Sequence, residues 1–172
     1  MEVVKGPDSI REEALTGLML QYEKDVLGMC CLYLHDLLLA EDATQETFLK
    51  AYKGLTEFRG ECSEKTWLMR IAINTCKDMR RNAWFRLVDR RMILEQLPVP
   101  STPPSEESTL LTTEVANLPG KYREVVLLYY YQRMKLHEVA QILGVSIPAV
   151  SKRLKQARRK LHLALEGGCE DE

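Results

Sequence analysis

The sequence predicts an all-α protein of two small domains, and three observations carry that expectation. Apolar residues recur at three- and four-residue spacing, and no segment alternates with the period of two that a strand would show. Residues 95–113 break the pattern, with Pro98, Pro100, Pro103 and Pro104 interleaved with Ser and Thr and followed by Glu106 and Glu107. The stretch from Leu136 to Lys160 reads as a helix, a tight glycine turn and a second helix coated with cations. A chain of 172 residues, 45% hydrophobic and 28% charged, is long enough for one domain or two small ones with real cores.

Taken in order, the first helix carries Ile10, Ala14, Leu18, Tyr22, Val26, Met29/Cys30 and Tyr33 on one stripe. The second runs from about Leu39 to Leu55 with Ala43, Phe48, Ala51, Tyr52 and Leu55 inward, and Gly54 and Gly60 bracket the break after it. Ser63 is placed to cap a third helix, whose stripe is Trp67/Leu68, Ile71/Ala72, Thr75 and Met79. The Pro/Ser/Thr run cannot bury enough apolar surface to order itself. It is read as a flexible linker over residues 92–113, between an N-terminal domain at 10–91 and a C-terminal domain at 114–166. The C-terminal domain opens with a helix from about Gly120 to Gln132, with Tyr122, Val125/Val126 and Tyr129 inward.

The helix-turn-helix that follows has a physical reason at each position. Ala140 is small where two helices approach, and Gly144 can take the left-handed conformation just past the first helix. Ser146 can cap the second helix, and Pro148 falls in its first turn, where a missing N–H costs nothing. Val150, Leu154, Ala157 and Leu161 form the inward stripe. Lys152, Arg153, Lys155, Arg158, Arg159 and Lys160 cover much of the rest, with no Asp or Glu between Ala149 and His162. A basic run alone is an ordinary solvated face. Joined to this spacing and cap it points to a helix that enters a DNA groove.

The net charge of −1 hides an uneven distribution. Residues 2–57 hold 5 Lys/Arg against 11 Asp/Glu, a net of −6, while residues 58–91 hold 9 against 4, a net of +5. Residues 114–172 hold 10 against 7, a net of +3. An acidic first segment before two basic ones implies two kinds of partner. The acids Glu41, Asp42 and Glu46 complement the positive end of the second helix's dipole or offer a docking face to a basic partner. Arg59, Lys65, Arg70, Lys77, Arg80 and Arg81 sit beside a glycine-containing loop and Trp67, a pattern that suits a phosphate backbone with an unstacked base. The stripe favours Trp67 as core, and Asn74 is either a surface amide or a base-edge reader.

Other chemistries find no support. Cys30, Cys31, Cys62, Cys76 and Cys169 form no CxxC pair, and three scattered histidines give no zinc spacing. Cys30 and Cys76 lie on apolar stripes as small core residues. A two-metal bundle needs Glu-x-x-His motifs, and none occurs, so neither metal nor cofactor is expected. No glycine-flanked serine, Cys/His pair or phosphate loop supports catalysis. The start, Met1-Glu2-Val3-Val4-Lys5, lacks a signal-peptide pattern and no apolar run spans a bilayer, so no membrane insertion and a cytoplasmic location are expected.

Three motifs now stand in order: Glu41-Asp42-Ala43-Thr44-Gln45-Glu46-Thr47-Phe48; Phe58-Arg59-Gly60-Glu61 with Lys65-Thr66-Trp67-Leu68-Met69-Arg70-Ile71-Ala72-Ile73-Asn74; and Leu118-Pro119-Gly120-Lys121-Tyr122-Arg123-Glu124-Val125-Val126 before the helix-turn-helix. Over roughly residues 10–166 the chain resembles the alternative sigma factors of bacterial RNA polymerase of the extracytoplasmic-function type, in the sigma-70 family. The resemblance implies that Asp36, Glu41, Asp42, Gln45 and Glu46 dock on core RNA polymerase. It implies that Arg59, Lys65, Trp67, Arg70, Asn74 and Lys77 bind the −10 element of promoter DNA, with a flipped base held by loop 59–66 and the third helix. It implies that Ser151, Lys152, Arg153, Lys155, Gln156, Arg158 and Arg159 read the −35 element, the arginines mainly on phosphates. The linker would run toward the RNA exit path, and an anti-sigma factor is implied as a further partner. Two departures stand out. Primary sigma factors carry paired tryptophans where this chain has Trp67-Leu68, and Pro148 and Ala149 replace residues able to hydrogen-bond a base.

The rival reading is a stand-alone helix-turn-helix regulator with an effector-binding N-terminal domain, which would bind duplex operator without polymerase. A DNA-targeted helical enzyme such as a recombinase would need a catalytic Ser, Tyr or metal cluster, and the residues do not assemble one.

Overall fold

The structure, a computed structural model, describes residues 6–84 and 106–167. Among these residues every regular element is helical. The elements are α1 (Pro7–Leu34), α2 (Leu37–Gly54), α3 (Glu64–Trp84), α4 (Glu106–Asn117), α5 (Gly120–Val126), α6 (Leu136–Leu143) and α7 (Ile147–Gly167). A π-helical turn, Leu127–Tyr131, continues α5.

Local chemistry sets the breaks. His35 ends α1 in the left-handed conformation (φ 55°), returning its N–H to the Cys31 carbonyl. Asp36 then starts α2, its carboxylate accepting from the Leu39 N–H at 2.9 Å. Ser63 caps α3 through the Thr66 N–H at 3.1 Å, as the sequence predicts. Gly144 ends α6 at φ 65°, and Ser146 accepts from the Ala149 N–H at 3.3 Å at the start of α7.

Helices α1, α2 and α3 pack as a three-helix unit around Val26, Met29, Cys30, Ala40, Ala43, Ala51, Leu68, Ala72 and Cys76. Cys30 and Cys76 are fully buried, with the Cys76 thiol pointing at Cys30 Sγ across 3.5 Å. In the C-terminal unit, α4, α5 and α6 all pack on α7, whose Val150, Leu154 and Ala157 are buried. The two units touch. The buried apolar cluster of α1–α3 runs on into Val125, Leu128, Met134 and Val139.

Three expectations need correction. Residues 106–113, assigned to the linker, are helical: Glu106 and Glu107 suit a helix N-terminus, and Leu110, Leu111 and Val115 follow at helical spacing. The rest of that linker that precedes Glu106 lies outside the described residues, as does Cys169. Ile10 and Ala14 are exposed rather than inward, Ile10 at 58%. Within the helix predicted over Gly120–Gln132, Leu127–Tyr131 take π geometry, and Tyr129, expected inward, is only half buried.

Candidate nucleic-acid interface

Three surfaces hold the residues singled out from the sequence. On α2, Leu38, Asp42, Gln45 and Leu49 share an exposed stripe at helical spacing, and Glu41 borders it. Glu46 is half exposed and pairs with Lys50 at 3.8 Å. Asp36, half buried at the start of the helix, accepts the Leu39 N–H on its Oδ1 as the helix cap.

Helix α3 and the loop before it form the second surface. The α2–α3 loop turns at Gly60 (φ 72°), which presents Arg59 to solvent and returns Phe58 onto Trp67. The two rings stack at 4.7 Å between centroids and 27° between planes. A cleft of about 440 Å³ lies on one side, lined by Lys50, Gly54, Glu57, Phe58, Trp67, Ile71 and Asn74. A second, of about 660 Å³, lies toward Arg59, Glu61, Cys62, Arg70 and Gln141. Asn74 is exposed on the first cleft, and half-buried Trp67 walls that cleft while packing against the hydrophobic core. Sequence reasoning did not single out Phe58 or Lys50. An aromatic residue beside glycine in a polar loop was the available signal for Phe58.

The six candidates on this surface separate. Arg59, Trp67 and Asn74 line the clefts, whereas Lys65, Arg70 and Lys77 are turned to the C-terminal unit. Lys65 bonds the Gln132 carbonyl at 3.1 Å and pairs with Asp25 at 3.2 Å. Arg70, which also borders the larger cleft, donates to the Gln141 carbonyl at 3.1 Å. Lys77 pairs with Glu124 at 3.3 Å. Met69 and Ile73, on the same face of α3, are fully buried.

Two further residues at this seam escaped the sequence reading. Arg123 is 3% exposed and donates to the carbonyls of Tyr33 (3.1 Å) and Leu118 (2.8 Å). Burial, then the neighbouring charge of Arg80, pulls its pKa down to about 10, which still leaves it charged near neutrality. Glu124 is buried and accepts from the Tyr33 hydroxyl at 3.0 Å. Burial and that carboxylate push the Tyr33 pKa up.

The third surface is α7. Ser151, Lys152, Lys155, Gln156, Arg158 and Arg159 are exposed and Arg153 is half buried, opposite or flanking the inward stripe. Gln156 is tied on one side, its Oε1 accepting from the Tyr122 hydroxyl at 2.8 Å, which leaves its amide N–H₂ as the free donor. Lys160 sits over the Tyr122 ring at 5.7 Å. Among the described residues no cluster of His, Cys, Asp or Glu could hold a metal ion, and no helix is long and apolar enough to cross a membrane.

Known proteins resemble this chain along most of its length. Residues 18–86 match the family described as Sigma-70 region 2, and residues 108–161 match Sigma-70, region 4. RNA polymerase sigma factor YlaC of Bacillus subtilis (strain 168) is 30% identical over 167 residues, spanning 93% of this chain and 96% of its own. RNA polymerase sigma-H factor of Pseudomonas aeruginosa is 28% identical over 169 residues, spanning 90% and 88%. The fold recurs in the sigma factor RpoE of Bartonella quintana, solved with the anti-sigma factor NepR, at a TM-score of 0.73 and 21% identity over 93% of this chain and 99% of that one. CnrH, solved with the cytosolic domain of CnrY, gives 0.70 and 24% identity over 91% and 90%. The chain belongs to the sigma-70 family of RNA polymerase sigma factors, in its extracytoplasmic-function type, whose members direct promoter recognition and transcription initiation.

Proposed function

We propose that the three surfaces divide the work of an alternative sigma factor among named residues. The α2 stripe of Glu41, Asp42, Gln45 and Glu46, edged by Leu38 and Leu49, docks on a basic surface of core RNA polymerase. Asp36 contributes by fixing the start of that helix. The Phe58–Trp67 stack with Arg59 and Asn74 takes an unpaired base of the −10 element. Glu57 and Glu61 in the cleft walls repel phosphate, which favours a base there and leaves the backbone to the cations at the rim. Helix α7 reads the −35 element through Ser151, Lys152, Lys155 and Gln156, with Arg153, Arg158 and Arg159 on phosphates.

One observation carries this reading above a stand-alone regulator. An aromatic-walled cleft sits in one helical unit and an exposed cationic recognition helix in another, and an operator-binding regulator has no use for the first. The chain acts without enzymatic chemistry of its own, works in the cytoplasm, and has an anti-sigma factor as its regulator. The test is assembly. The full chain should co-elute with core polymerase in size-exclusion chromatography, and the complex should retain a promoter fragment under a heparin challenge that removes the free chain. Operator-like duplex binding without polymerase, and no co-elution, would favour the regulator instead.

A further inference from the structure

We propose that Tyr122 is a positioning residue for −35 selection: its hydroxyl holds the Gln156 amide with the oxygen toward the protein and the N–H₂ toward the groove, so that α7 reads a guanine there and rejects adenine. The inference rests on the reading of α7 as the −35 helix. It adds the residue that sets the amide's orientation and the base that this orientation selects.

The Tyr122 hydroxyl donates to Oε1 of Gln156 at 2.8 Å. Tyr122 is buried and Gln156 is exposed, so the bond runs from the interior to the oxygen end of the amide and leaves the nitrogen end outward. Turning the amide over would set its N–H₂ against the phenol proton, a donor facing a donor. The phenol has little room to follow. Its ring lies in the apolar cluster of Leu118, Val126 and Ala157, and Ala157 directly follows Gln156 on α7. Lys121 Nζ and Lys160 Nζ stand 5.0 and 5.7 Å from the ring centroid. Lys160 comes one turn after Gln156 on the same face of α7, so one ring underlies both side chains.

Base chemistry turns that orientation into selectivity. In the major groove adenine offers N7 as an acceptor and N6 as a donor, and an amide meets both only by presenting oxygen and nitrogen together. Guanine offers two acceptors, O6 and N7, thymine offers O4 alone, and cytosine offers a donor at N4. An amide that shows only its N–H₂ therefore matches guanine, meets half of adenine and opposes cytosine. Gln156 is the one side-chain amide of α7, and Pro148 and Ala149 at its start carry no group for a base edge. The lysines of the same face are point donors on flexible stems, with no oxygen to show. Because the amide is set before DNA arrives, little rotamer freedom is lost on contact.

The test uses the full chain assembled with core polymerase, and a promoter fragment from which that complex starts RNA synthesis, with its upstream element randomised. Retained duplexes are sequenced for the parent, Gln156→Ala, Tyr122→Phe and Gln156→Glu. The position that loses its preference in Gln156→Ala is the one Gln156 reads. There the parent should favour G·C in one orientation over A·T by about tenfold, the scale of one good two-pronged contact. Tyr122→Phe keeps the ring and removes the hydroxyl, so the amide can turn and the preference should shrink to near parity, with the other positions unchanged. Gln156→Glu keeps an acceptor for Tyr122 and replaces the donor by a second acceptor, so the favoured pair should invert to C·G. A parent preference for A·T at that position would overturn the proposal, as would a G·C preference that survives Tyr122→Phe. An equal loss at every position in Tyr122→Phe would make the hydroxyl a structural prop and overturn it too. If that variant does not fold, the Gln156→Glu profile decides, and a pair that does not invert rejects the proposal. A Gln156→Ala profile identical to the parent's also rejects it, while enrichment elsewhere in the upstream element leaves the −35 reading of α7 standing. No enrichment in that element by the parent complex removes the −35 reading itself.

Discussion

The Tyr33 hydroxyl donates a 3.0 Å hydrogen bond to Oε1 of Glu124, and that same oxygen pairs with Lys77 at 3.3 Å. One buried carboxylate thus ties α1 and α3 of the N-terminal unit to α5 of the C-terminal unit. Beside it, Arg123 bonds the Tyr33 carbonyl, so both ends of one tyrosine are held from across the seam.

Replacing Arg123 by Ala leaves the carbonyls of Tyr33 and Leu118 without that donor. Stability should fall by about 1–3 kcal/mol, the cost of stranding a buried acceptor. Urea unfolding followed by circular dichroism measures it. An unchanged midpoint would mean that Arg123 packs without bonding.

His35 makes the seam sensitive to pH. Burial first, then the charges of Arg123 and Arg80, pull its pKa down to about 4, against a hydrogen bond to the Ala116 backbone that raises it. The unfolded chain therefore binds the proton more readily than the folded one. Stability is complete above the unfolded value near 6.5 and declines as the pH falls from there toward 4. Unfolding midpoints at pH 7.5 and pH 5.5 should differ in the parent and converge in His35→Asn, a residue that tolerates the positive φ at this site. Equal pH dependence in both would remove His35 from the account.

On α2 the acids should fall into two classes. Changing Glu41, Asp42 and Glu46 together to Lys should abolish co-elution with core polymerase and leave helicity intact. Asp36→Ala should instead cost about 1 kcal/mol of stability through the lost cap, with docking largely retained. Polymerase binding that survives the triple reversal would reject the docking face.

The Phe58–Trp67 stack predicts where strand opening fails. Phe58→Ala should weaken capture of the unpaired strand by about 1–3 kcal/mol, the scale of one aromatic–base contact. Permanganate reactivity of promoter thymines measures opening. Association with a duplex carrying only the −35 element should not change, and a parallel loss there would mean that the variant disturbs the whole fold.

On α7, Gln156→Ala should relax selection at one −35 base pair by about 1–3 kcal/mol, read from competition among duplexes that differ at single positions. Tyr122→Phe frees Oε1 of Gln156 and should alter the same position. A uniform loss over all sequences would assign Gln156 to the backbone.

How much of this was legible in the sequence depends on the range of the interaction. The turn at Gly144, the caps at Ser63 and Ser146 and the inward stripe of α7 are set by neighbours within a few residues, and pattern alone finds them. The start of α4 at Glu106 was hidden because prolines and serines just before it dominate the composition. The π-turn was hidden because Leu127, Leu128 and Tyr129 continue the helical period and only the backbone geometry departs from it. Met69 and Ile73 owe their burial to a unit that begins more than thirty residues later. The roles of Arg123 and Glu124 depend on partners about ninety positions away (separations of 90 and 91 residues to Tyr33), which no local spacing encodes. The same cause split the candidate −10 residues. Composition marks Lys65, Arg70 and Lys77 as a cationic cluster with Arg59 but cannot say which face of α3 the second domain will meet.

The most direct measurement is run-off transcription. Purified full-length chain, mixed with core RNA polymerase and genomic fragments, should start RNA synthesis at discrete sites that share a pair of upstream elements, and should lose those starts on the Glu41, Asp42 and Glu46 reversal. Core polymerase that initiates nowhere in its presence, with no inhibitor in the mixture, would contradict the account.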